Sequence, residues 1–357
     1  MSELIIRESS SEDLQGIADL FLPRKRSLNM LHWLHSDGKG QLQSYVAEVD
    51  HKIVGHIGYM PSSYNYNGGS LKGVFSIEWK VDEEYAGQAA LKLYSKVMKI
   101  GDFTYVIGGT EVVNKMYPLL KFRVAAQIPR FQKIVRPLQY FRLLDETHNP
   151  VKRALKTAFY TKGMLGGKKI LSDKQVRLAT YDAEIAEYLK PSKNVIENEG
   201  TRDFERLMGT PGIEAYRFLI RQKGEPVGSA LCMIDRAANY AAGRIVHISH
   251  LGKNSGLWEQ AVRKCETFLW EQGCCIVSSL GSNERYTSAL RKSGHLFLKN
   301  SPLWLRDRKN ILKDADWHFT YLEGDLAHRG IYTYDFTKKD YLKRPVHLSG
   351  KPEMTAA

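Results

Sequence analysis

Apolar and polar residues alternate in two stretches of the chain, residues 45–60 (YVAEVDHKIVGHIGYM) and residues 218–233 (FLIRQKGEPVGSALCM). Each stretch is interrupted near its middle by two polar or turn-forming residues. These pairs are Asp50-His51 and Lys223-Gly224. Alternation with a period of two predicts a half-buried β-strand, and a two-residue polar break predicts a tight turn between strands. Each stretch is therefore predicted to form a β-hairpin.

The same order of elements follows both hairpins. A strand, an amphipathic helix that stops at a glycine, and a second strand occupy residues 74–107 in the first copy and residues 244–280 in the second. The two helix-ending glycines are Gly101 and Gly273, at positions where a left-handed cap is easiest. When the second half of the sequence is aligned on the first with an offset of 173 residues, Met233 also aligns with Met60. We interpret this as an internal duplication of one α/β unit.

The length of 357 residues predicts two domains, and the 43% of hydrophobic residues can bury a sizeable core. The predicted organisation is a first domain at 1–140, a connector at 141–175, a second domain at 176–335 and a tail at 336–357. The chain has no apolar run long enough to cross a bilayer and no signal-peptide pattern at its start, so a cytoplasmic protein is expected. The four cysteines lack metal-ligand spacing and are expected to be reduced packing residues, with no metal site.

Basic residues exceed acidic ones by 13, which predicts that anionic partners approach this surface readily. The excess is strongest in the connector, where residues 150–177 contain eight basic residues and one acidic residue. The favoured interpretation is a tether between the domains, followed by peripheral contact with an anionic membrane. Binding to nucleic acid is not expected, because no nucleic-acid recognition motif is present. The oligomeric state stays open.

With these elements in place, the sequence resembles the GNAT acyltransferase superfamily. The resemblance implies an α/β (α+β) fold of two tandem GNAT-like domains, each with a mixed, mostly antiparallel central sheet flanked by helices. It also implies an enzyme that uses acetyl-CoA or another acyl-CoA. The segment around Trp33 and the strand expected within residues 315–330 resemble tandem GNAT-like proteins associated with polysaccharide or surface-glycan synthesis.

The family's coenzyme turn is matched by residues 81–93 (VDEEYAGQAALKL). N–H groups at the start of a helix are unpaired within it and can hold a diphosphate, provided that side chains leave the backbone accessible. The alternative is that Gly87 only forms the bend between strand and helix. The predicted cofactor-binding residues are Val81, Gly87, Gln88, Ala89, Ala90 and Asn114.

Acyl transfer to an amine requires removal of a proton from an ammonium group and, often, delivery of one to the departing thiolate. Alternation in residues 74–81 places Ile77 and Trp79 on one face and Glu78 on the other. By the resemblance, Glu78 is the catalytic base and Tyr117 the proton donor to the coenzyme sulfur. The alternatives are a solvent-exposed Glu78 paired with a lysine and a Tyr117 that only packs. The main role expected of Asn114 is to cap the N-terminus of the helix, and contact with the cofactor is its secondary role.

The second copy offers other side chains at the matching places. With an offset of 172 residues, His250 aligns with Glu78. Imidazole titrates near neutral pH, so His250 could act as a base. The alternative is that it is structural, as histidines in strands more often are. A possible second site is predicted at His250, Lys253, Gly256, Asn283 and Tyr286.

The resulting prediction is an acyl-CoA-dependent N-acyltransferase, an acetyltransferase above all, acting on the amine of a small molecule such as an amino sugar or amino acid. Two alternatives stay open. One is a non-catalytic tandem GNAT-like module that binds coenzyme A or serves as a scaffold, and the other is an aminoacyl-tRNA-dependent transferase.

Overall fold

The structure is a computed structural model that describes residues 3–22, 28–143, 150–151, 154–155, 157–158, 176–182, 195–199, 201–237, 240–324, 327, 334–335 and 340–341. The chain divides into two compact units. Unit 1 comprises residues 1–126 and 302–315, and unit 2 comprises residues 127–301 and 316–357.

Besides short 3₁₀ turns, the first half of the sequence forms β-strands and α-helices. They are β1 (Ile5–Glu8), α1 (Leu14–Leu20), α2 (Leu28–His35), β2 (Ser44–Val49), β3 (Lys52–Tyr66), β4 (Gly69–Val81), α3 (Ala86–Val97), β5 (Phe103–Ile107), α4 (Glu111–Leu119), β6 (Arg123–Ile134) and α5 (Pro137–Leu143).

The second half follows with a similar succession. Its elements are β7 (Val176–Thr180), β8 (Val195–Asn198), α6 (Thr201–Met208), β9 (Ile213–Gln222), β10 (Glu225–Ala237), β11 (Tyr240–Ser249), α7 (Ser255–Glu271), β12 (Cys274–Leu280), α8 (Glu284–Lys292), β13 (Leu296–Asp307), β14 (Asp316–Trp317), β15 (Tyr334–Asp335) and β16 (Asp340–Tyr341).

The sheet of unit 1 has the strand order β1-β2-β3-β4-β5-β13. β4 and β5 run parallel, whereas the other neighbouring pairs run antiparallel. α3 packs on β2, β3 and β4, and its buried side chains Ala89, Leu93, Tyr94 and Val97 form the core on that face. The predicted mixed, mostly antiparallel sheet flanked by helices is confirmed for this unit.

The sheet of unit 2 has the order β6-β12-β11-β10-β9-β7. β11 and β12 run parallel, and the other neighbouring pairs run antiparallel. α7 packs on β7, β10, β11 and β12, and most of its apolar face is buried. The four cysteines are buried and none of them forms a disulfide, as expected of packing residues.

Both predicted hairpins are present, and both turns have the same geometry. Asp50 and His51 have φ values of 47° and 61°, and Lys223 and Gly224 have φ values of 53° and 96°. Positive φ at both central residues defines the type I′ turn, whose twist matches that of the flanking strands. The alternation pattern and its polar break therefore located these turns correctly.

The division into units differs from the predicted domain boundaries at two places. Residues 127–140 belong to unit 2 and residues 302–315 belong to unit 1. The C-terminal half of β13 thus completes the sheet of unit 1, where Leu303 pairs with Ile107. Most of the predicted connector and tail lies outside the described residues. Within the part of the chain that is described, no helix is long and apolar enough to cross a membrane.

Of the two glycines predicted to end helices, Gly273 directly follows the cap residue of α7, whereas α3 already ends at Val97, before Gly101. Gly273 has a φ of 84° and fits the predicted left-handed cap. Gly101 does not have a positive φ; instead, a Cβ there would lie 2.5 Å from the carbonyl oxygen of Lys72 and 2.8 Å from Val74. Close approach of backbone to backbone therefore requires glycine at position 101.

Replacing Gly101 with alanine is expected to destabilise unit 1 by about 1–3 kcal/mol, because the backbone of Lys72 cannot move away cheaply. Gly87→Ala is the matched control: no atom lies within 4 Å of a Cβ at this helical position. Its stability should be unchanged or slightly higher, since alanine is the better helix former. Urea unfolding of both variants checks this, and equal midpoints would contradict the steric explanation.

Candidate functional site

The parallel strands β4 and β5 of unit 1 separate before either strand ends. Their pairing runs from Gly73 with Phe103 to Phe75 with Tyr105 and stops there. β4 continues to Val81 and β5 to Ile107 without further pairing between them. The sheet is therefore split at this point, and we call this opening the β4–β5 split.

A β-bulge lies on β4 beside the split. Gly58 pairs with Ile77 and His56 pairs with Lys80, so Glu78 and Trp79 together face a single residue of β3. Glu78 has a φ of 48°, which places it in the left-handed region. A bulge of this kind re-aims the side chains that follow it.

The bulge overturns the predicted distribution of side chains on β4. Trp79 was predicted to share a face with Ile77, but its ring lies 4.7 Å from that of Tyr94 on α3. Ser76 is on the same side, 2.8 Å from the Tyr94 hydroxyl. The reason is the extra residue, because a shift of one position moves every later side chain to the opposite face.

The side chain of Glu78 is buried and paired with a histidine of α2. Its Oε2 accepts a hydrogen bond from His35 Nε2 at 3.3 Å, and the two side chains are 3% and 0% exposed. The solvent-exposed alternative is therefore wrong. Lys80 does not pair with Glu78 either, since its ammonium group donates to the carbonyl of Leu20. Glu78 and His35 therefore form a buried carboxylate–imidazole pair beside the split.

A second histidine supports this pair. His56 Nδ1 donates to the carbonyl oxygen of Glu78 at 3.1 Å, and the rings of His35 and His56 are 4.8 Å apart. Burial, with a further contribution from His35, lowers the pKa of His56 to about 3. Gly58 makes room for the His35 ring, because a Cβ there would lie 2.3 Å from His35 Cε1.

The predicted coenzyme turn combines an open helix end with acidic neighbours. A 3₁₀ turn at Glu83–Tyr85 precedes α3 and uses the N–H groups of Tyr85 and Ala86. Gly87 and Gln88 are exposed in the first turn of α3, where N–H groups lack acceptors within the helix. Exposed glutamates at 83 and 84 place negative charge close to this helix end.

The other predicted cofactor-binding residues differ in burial and in hydrogen bonding. Ala89 is fully buried under the sheet, Ala90 is partly buried, and Val81 packs against the same core. Asn114 does not cap α4, because Thr110 is the cap and accepts from the N–H of Val113. Asn114 instead accepts a hydrogen bond from the indole N–H of Trp304 at 3.0 Å.

Tyr117 lies in an aromatic cluster rather than on the surface. It is 3% exposed, and its ring contacts those of Tyr94, Phe122 and Trp304. Burial raises its pKa, and its hydroxyl interacts with that of Tyr94. The phenol therefore stays protonated at neutral pH, which is the state that a proton donor requires.

Unit 2 has a corresponding split, but its own chain fills it. Pairing between β11 and β12 ends at Arg244 with Ser278. The backbone of residues 319–321 bridges the two sides: Tyr321 N–H donates to the carbonyl of Val246 at 3.1 Å, and the carbonyl of Phe319 accepts from Ser282 N–H at 2.9 Å. We call residues 317–323 the filling segment. The sequence predicted a long strand here, but only Asp316–Trp317 is a strand.

The predicted second-site residues of unit 2 have structural roles. Asn254 caps α7 by accepting from the N–H groups of Gly256 and Leu257, so those donors are occupied. Asn283 caps α8 in the same way. Tyr286 is fully buried and lies 2.5 Å from the Ser279 hydroxyl.

The remaining two second-site residues also lack the features of a base and a phosphate ligand. Burial and the charge of Arg217 lower the pKa of His250 to about 4, and its Nδ1 lies 2.7 Å from the Ser249 hydroxyl. Lys253 is exposed in the turn before α7. A histidine with so low a pKa is a weak base at neutral pH.

His35, His56 and Gly58 were not among the site residues predicted from the sequence. The available signal was the strand pattern Gly-His-Ile-Gly at residues 55–58, where a histidine and two glycines interrupt an apolar run. Glycine in a strand often marks a close approach or a bulge in the neighbouring strand.

The fold is similar to those of solved acyltransferases. A GCN5-related N-acetyltransferase from Anabaena variabilis ATCC 29413 matches with a TM-score of 0.51 and 14% identity, covering 85% of this chain and 73% of that one. N-myristoyltransferase of Saccharomyces cerevisiae with bound myristoyl-CoA matches with a TM-score of 0.54 and 9% identity, covering 86% and 83%. A GCN5-related N-acetyltransferase from Kribbella flavida matches with a TM-score of 0.51 and 11% identity, covering 85% and 71%.

By sequence, no family model and no curated protein matches the chain. At identities of 9–14% the structural likeness establishes the fold, which is that of the GNAT acyltransferases.

The buried His56 predicts a loss of stability in acid. Its pKa is lower in the folded state, about 3, than the ordinary 6.5, so its contribution is complete above pH 6.5 and is lost as the pH falls towards 3. His56→Asn keeps a donor for the Glu78 carbonyl but cannot titrate. Between pH 6 and 4, wild type should lose up to about 1.4 kcal/mol more per pH unit than this variant.

Urea unfolding at several pH values measures that difference. His51→Asn is the control, because the His51 side chain is 99% exposed and should not alter the slope. Equal slopes in wild type and His56→Asn would show that His56 is protonated in the folded protein.

Proposed function

We propose that the protein is an acyl-CoA-dependent N-acyltransferase whose site is the β4–β5 split of unit 1. The observation that carries this proposal is the buried Glu78–His35 pair on the bulge beside that split. A buried carboxylate that is held by a histidine beside an open strand edge is the kind of group that general-base catalysis uses.

The proposed reaction is direct attack of an amine on the thioester. Glu78 accepts the proton of the ammonium group, and His35 holds the carboxylate in place through its Nε2–H. The amine nitrogen then bonds to the acyl carbon while the carbon–sulfur bond breaks. The departing thiolate takes a proton from the neutral Tyr117 phenol, which approaches from the α3 side of the sheet.

The coenzyme is proposed to bind in unit 1, with its diphosphate on the exposed first turn of α3 at Gly87 and Gln88. An acyl-CoA supplies the activated thioester. Two findings disfavour unit 2: the filling segment occupies its split, and Asn254 occupies the N–H groups at the start of α7.

The same order of hairpin, strand, helix and strand in both units supports a tandem GNAT architecture with one active copy. The predicted acceptor remains a small-molecule amine such as an amino sugar or amino acid, in line with the resemblance to glycan-associated proteins. Because one structural neighbour is an N-myristoyltransferase, long acyl chains belong among the donors to be tested.

A glutamate at position 87 is expected to abolish binding of acyl-CoA. It adds a negative charge where the diphosphate is proposed to bind, yet acidic residues stabilise the first turn of a helix, so the fold should persist. Gly256→Glu is the matched control in the first turn of α7. Thermal-shift assays with acetyl-, succinyl- and myristoyl-CoA should show a shift for wild type and Gly256→Glu and none for Gly87→Glu. Loss of the shift only in Gly256→Glu would move the site to unit 2.

Glu78→Gln is expected to lower kcat by ~10²–10⁴-fold and to preserve the acyl-CoA thermal shift. Glutamine keeps the shape of the side chain and its hydrogen-bonding capacity but cannot accept the proton. Glu225→Gln, a change of the same type at an exposed position of unit 2, should retain full turnover. Release of free thiol with a panel of amines measures turnover, and unchanged kcat in Glu78→Gln would exclude Glu78 as the base.

The same assays decide between the alternatives. Binding of acyl-CoA without turnover on any amine would favour a coenzyme A-binding or scaffold module. Absence of acyl-CoA binding together with transfer from aminoacyl-tRNA would favour the third class.

A further inference from the structure

Three buried side chains of unit 2 converge from distant parts of the sequence. They are Glu197 of β8, His247 of β11 and His318 of the filling segment, with exposures of 3%, 1% and 2%. One ligand atom from each side chain lies within 4.8 Å of the other two. Two imidazoles and a carboxylate are a ligand set that divalent transition metals, above all Zn²⁺, bind in proteins.

The hydrogen bonds of His318 fix which of its nitrogens can bind a metal. Its Nε2 lies 2.7 Å from the carbonyl oxygen of Ile248, which can only accept, so Nε2 carries the hydrogen. In the neutral ring the lone pair is then on Nδ1. That atom is buried and has no hydrogen-bond partner among the described residues.

His247 is oriented in a similar way through Thr320. The Thr320 hydroxyl donates its hydrogen to Glu323 Oε2 at 3.1 Å, so it accepts from His247 Nδ1–H at 2.9 Å. The lone pair of His247 is therefore on Nε2. Metal-binding histidines commonly donate their other N–H to a carbonyl or a similar oxygen, which sets the tautomer. Both histidines have this arrangement.

The surroundings favour neutral histidines and exclude water. Burial lowers the pKa of both His247 and His318, so both rings are unprotonated at neutral pH, as metal ligands must be. The rings of Trp258 and Tyr286 lie 5.7 and 6.2 Å from that of His318. An apolar wall of this kind strengthens the interaction between a cation and its ligands.

We infer that Glu197, His247 and His318 form a binding site for one divalent transition-metal ion of the zinc class. A tetrahedral zinc site places its ligand atoms about 3.4 Å apart, so ligand atoms that lie within 4.8 Å of one another need to approach by up to about 1.4 Å. The ion would join β8, β11 and the filling segment, and would thereby hold the split of unit 2 closed. The inference does not depend on acyl transfer, because its readout is metal content.

The test uses the full chain, purified without chelators or an affinity tag that binds metal. Elemental analysis and titration with Zn²⁺ and Co²⁺ should give one equivalent for wild type, and the cobalt protein should show visible absorption typical of tetrahedral coordination. Glu197→Gln keeps the size of the side chain and should weaken binding by at least about 100-fold. Thr320→Val removes the partner of His247 and should weaken it by about 10–100-fold.

The exposed His51 supplies the control, since His51→Gln should leave the metal content unchanged. The same stoichiometry in wild type and Glu197→Gln, or its loss in His51→Gln, would mean adventitious metal only and would overturn the proposal. Should the variants fail to fold, wild type still decides: no bound Co²⁺ and no change of melting temperature with Zn²⁺ would show that the cluster is only a hydrogen-bonded network.

Discussion

The bulge at Glu78 is the constraint on which the candidate site depends. One extra residue in β4 turns Trp79 towards α3 and leaves Glu78 beside His35. A left-handed conformation costs a non-glycine residue about 1–2 kcal/mol, and the hydrogen bond from His56 to the Glu78 carbonyl offsets part of that cost. The bulge begins three residues beyond Phe75, the last residue of β4 that pairs with β5, so the distortion of β4 lies beside the opening and sets the position of the proposed base.

The sequence predicted the parts of the fold that depend on local pattern. The hairpins with their polar turns, the buried face of α7 and the cap at Gly273 follow from periodicity and from single residues with special backbone preferences. The bulge could not be predicted, because alternation assumes an unbroken strand and Glu78 carries no signal for a positive φ. The assignment of residues 302–315 to unit 1 was equally out of reach, since strand pairing between distant segments leaves no trace in local pattern.

The two units show how one framework supports different uses. In both, a parallel pair of strands separates after a few residues, which exposes backbone N–H and C=O groups at the split. Such groups need partners when they are buried. In unit 2 the filling segment supplies them through Phe319 and Tyr321. A split satisfied by its own chain gains stability and loses room for a ligand, and this is the physical reason for placing the acyl-transfer site in unit 1.

Beside both splits there are buried histidines with a ring nitrogen that has no hydrogen-bond partner among the described residues. Among the described residues, His35 Nδ1 and His56 Nε2 of unit 1 have no hydrogen-bond partner, and the same is true of His318 Nδ1 of unit 2. Each such atom costs about 1–3 kcal/mol when nothing binds to it. Selection for stability alone would favour apolar side chains at these positions. The proposed functions account for two of these positions: His35 would hold Glu78, which accepts the proton of the acceptor amine in unit 1, and His318 Nδ1 would bind the metal ion in unit 2.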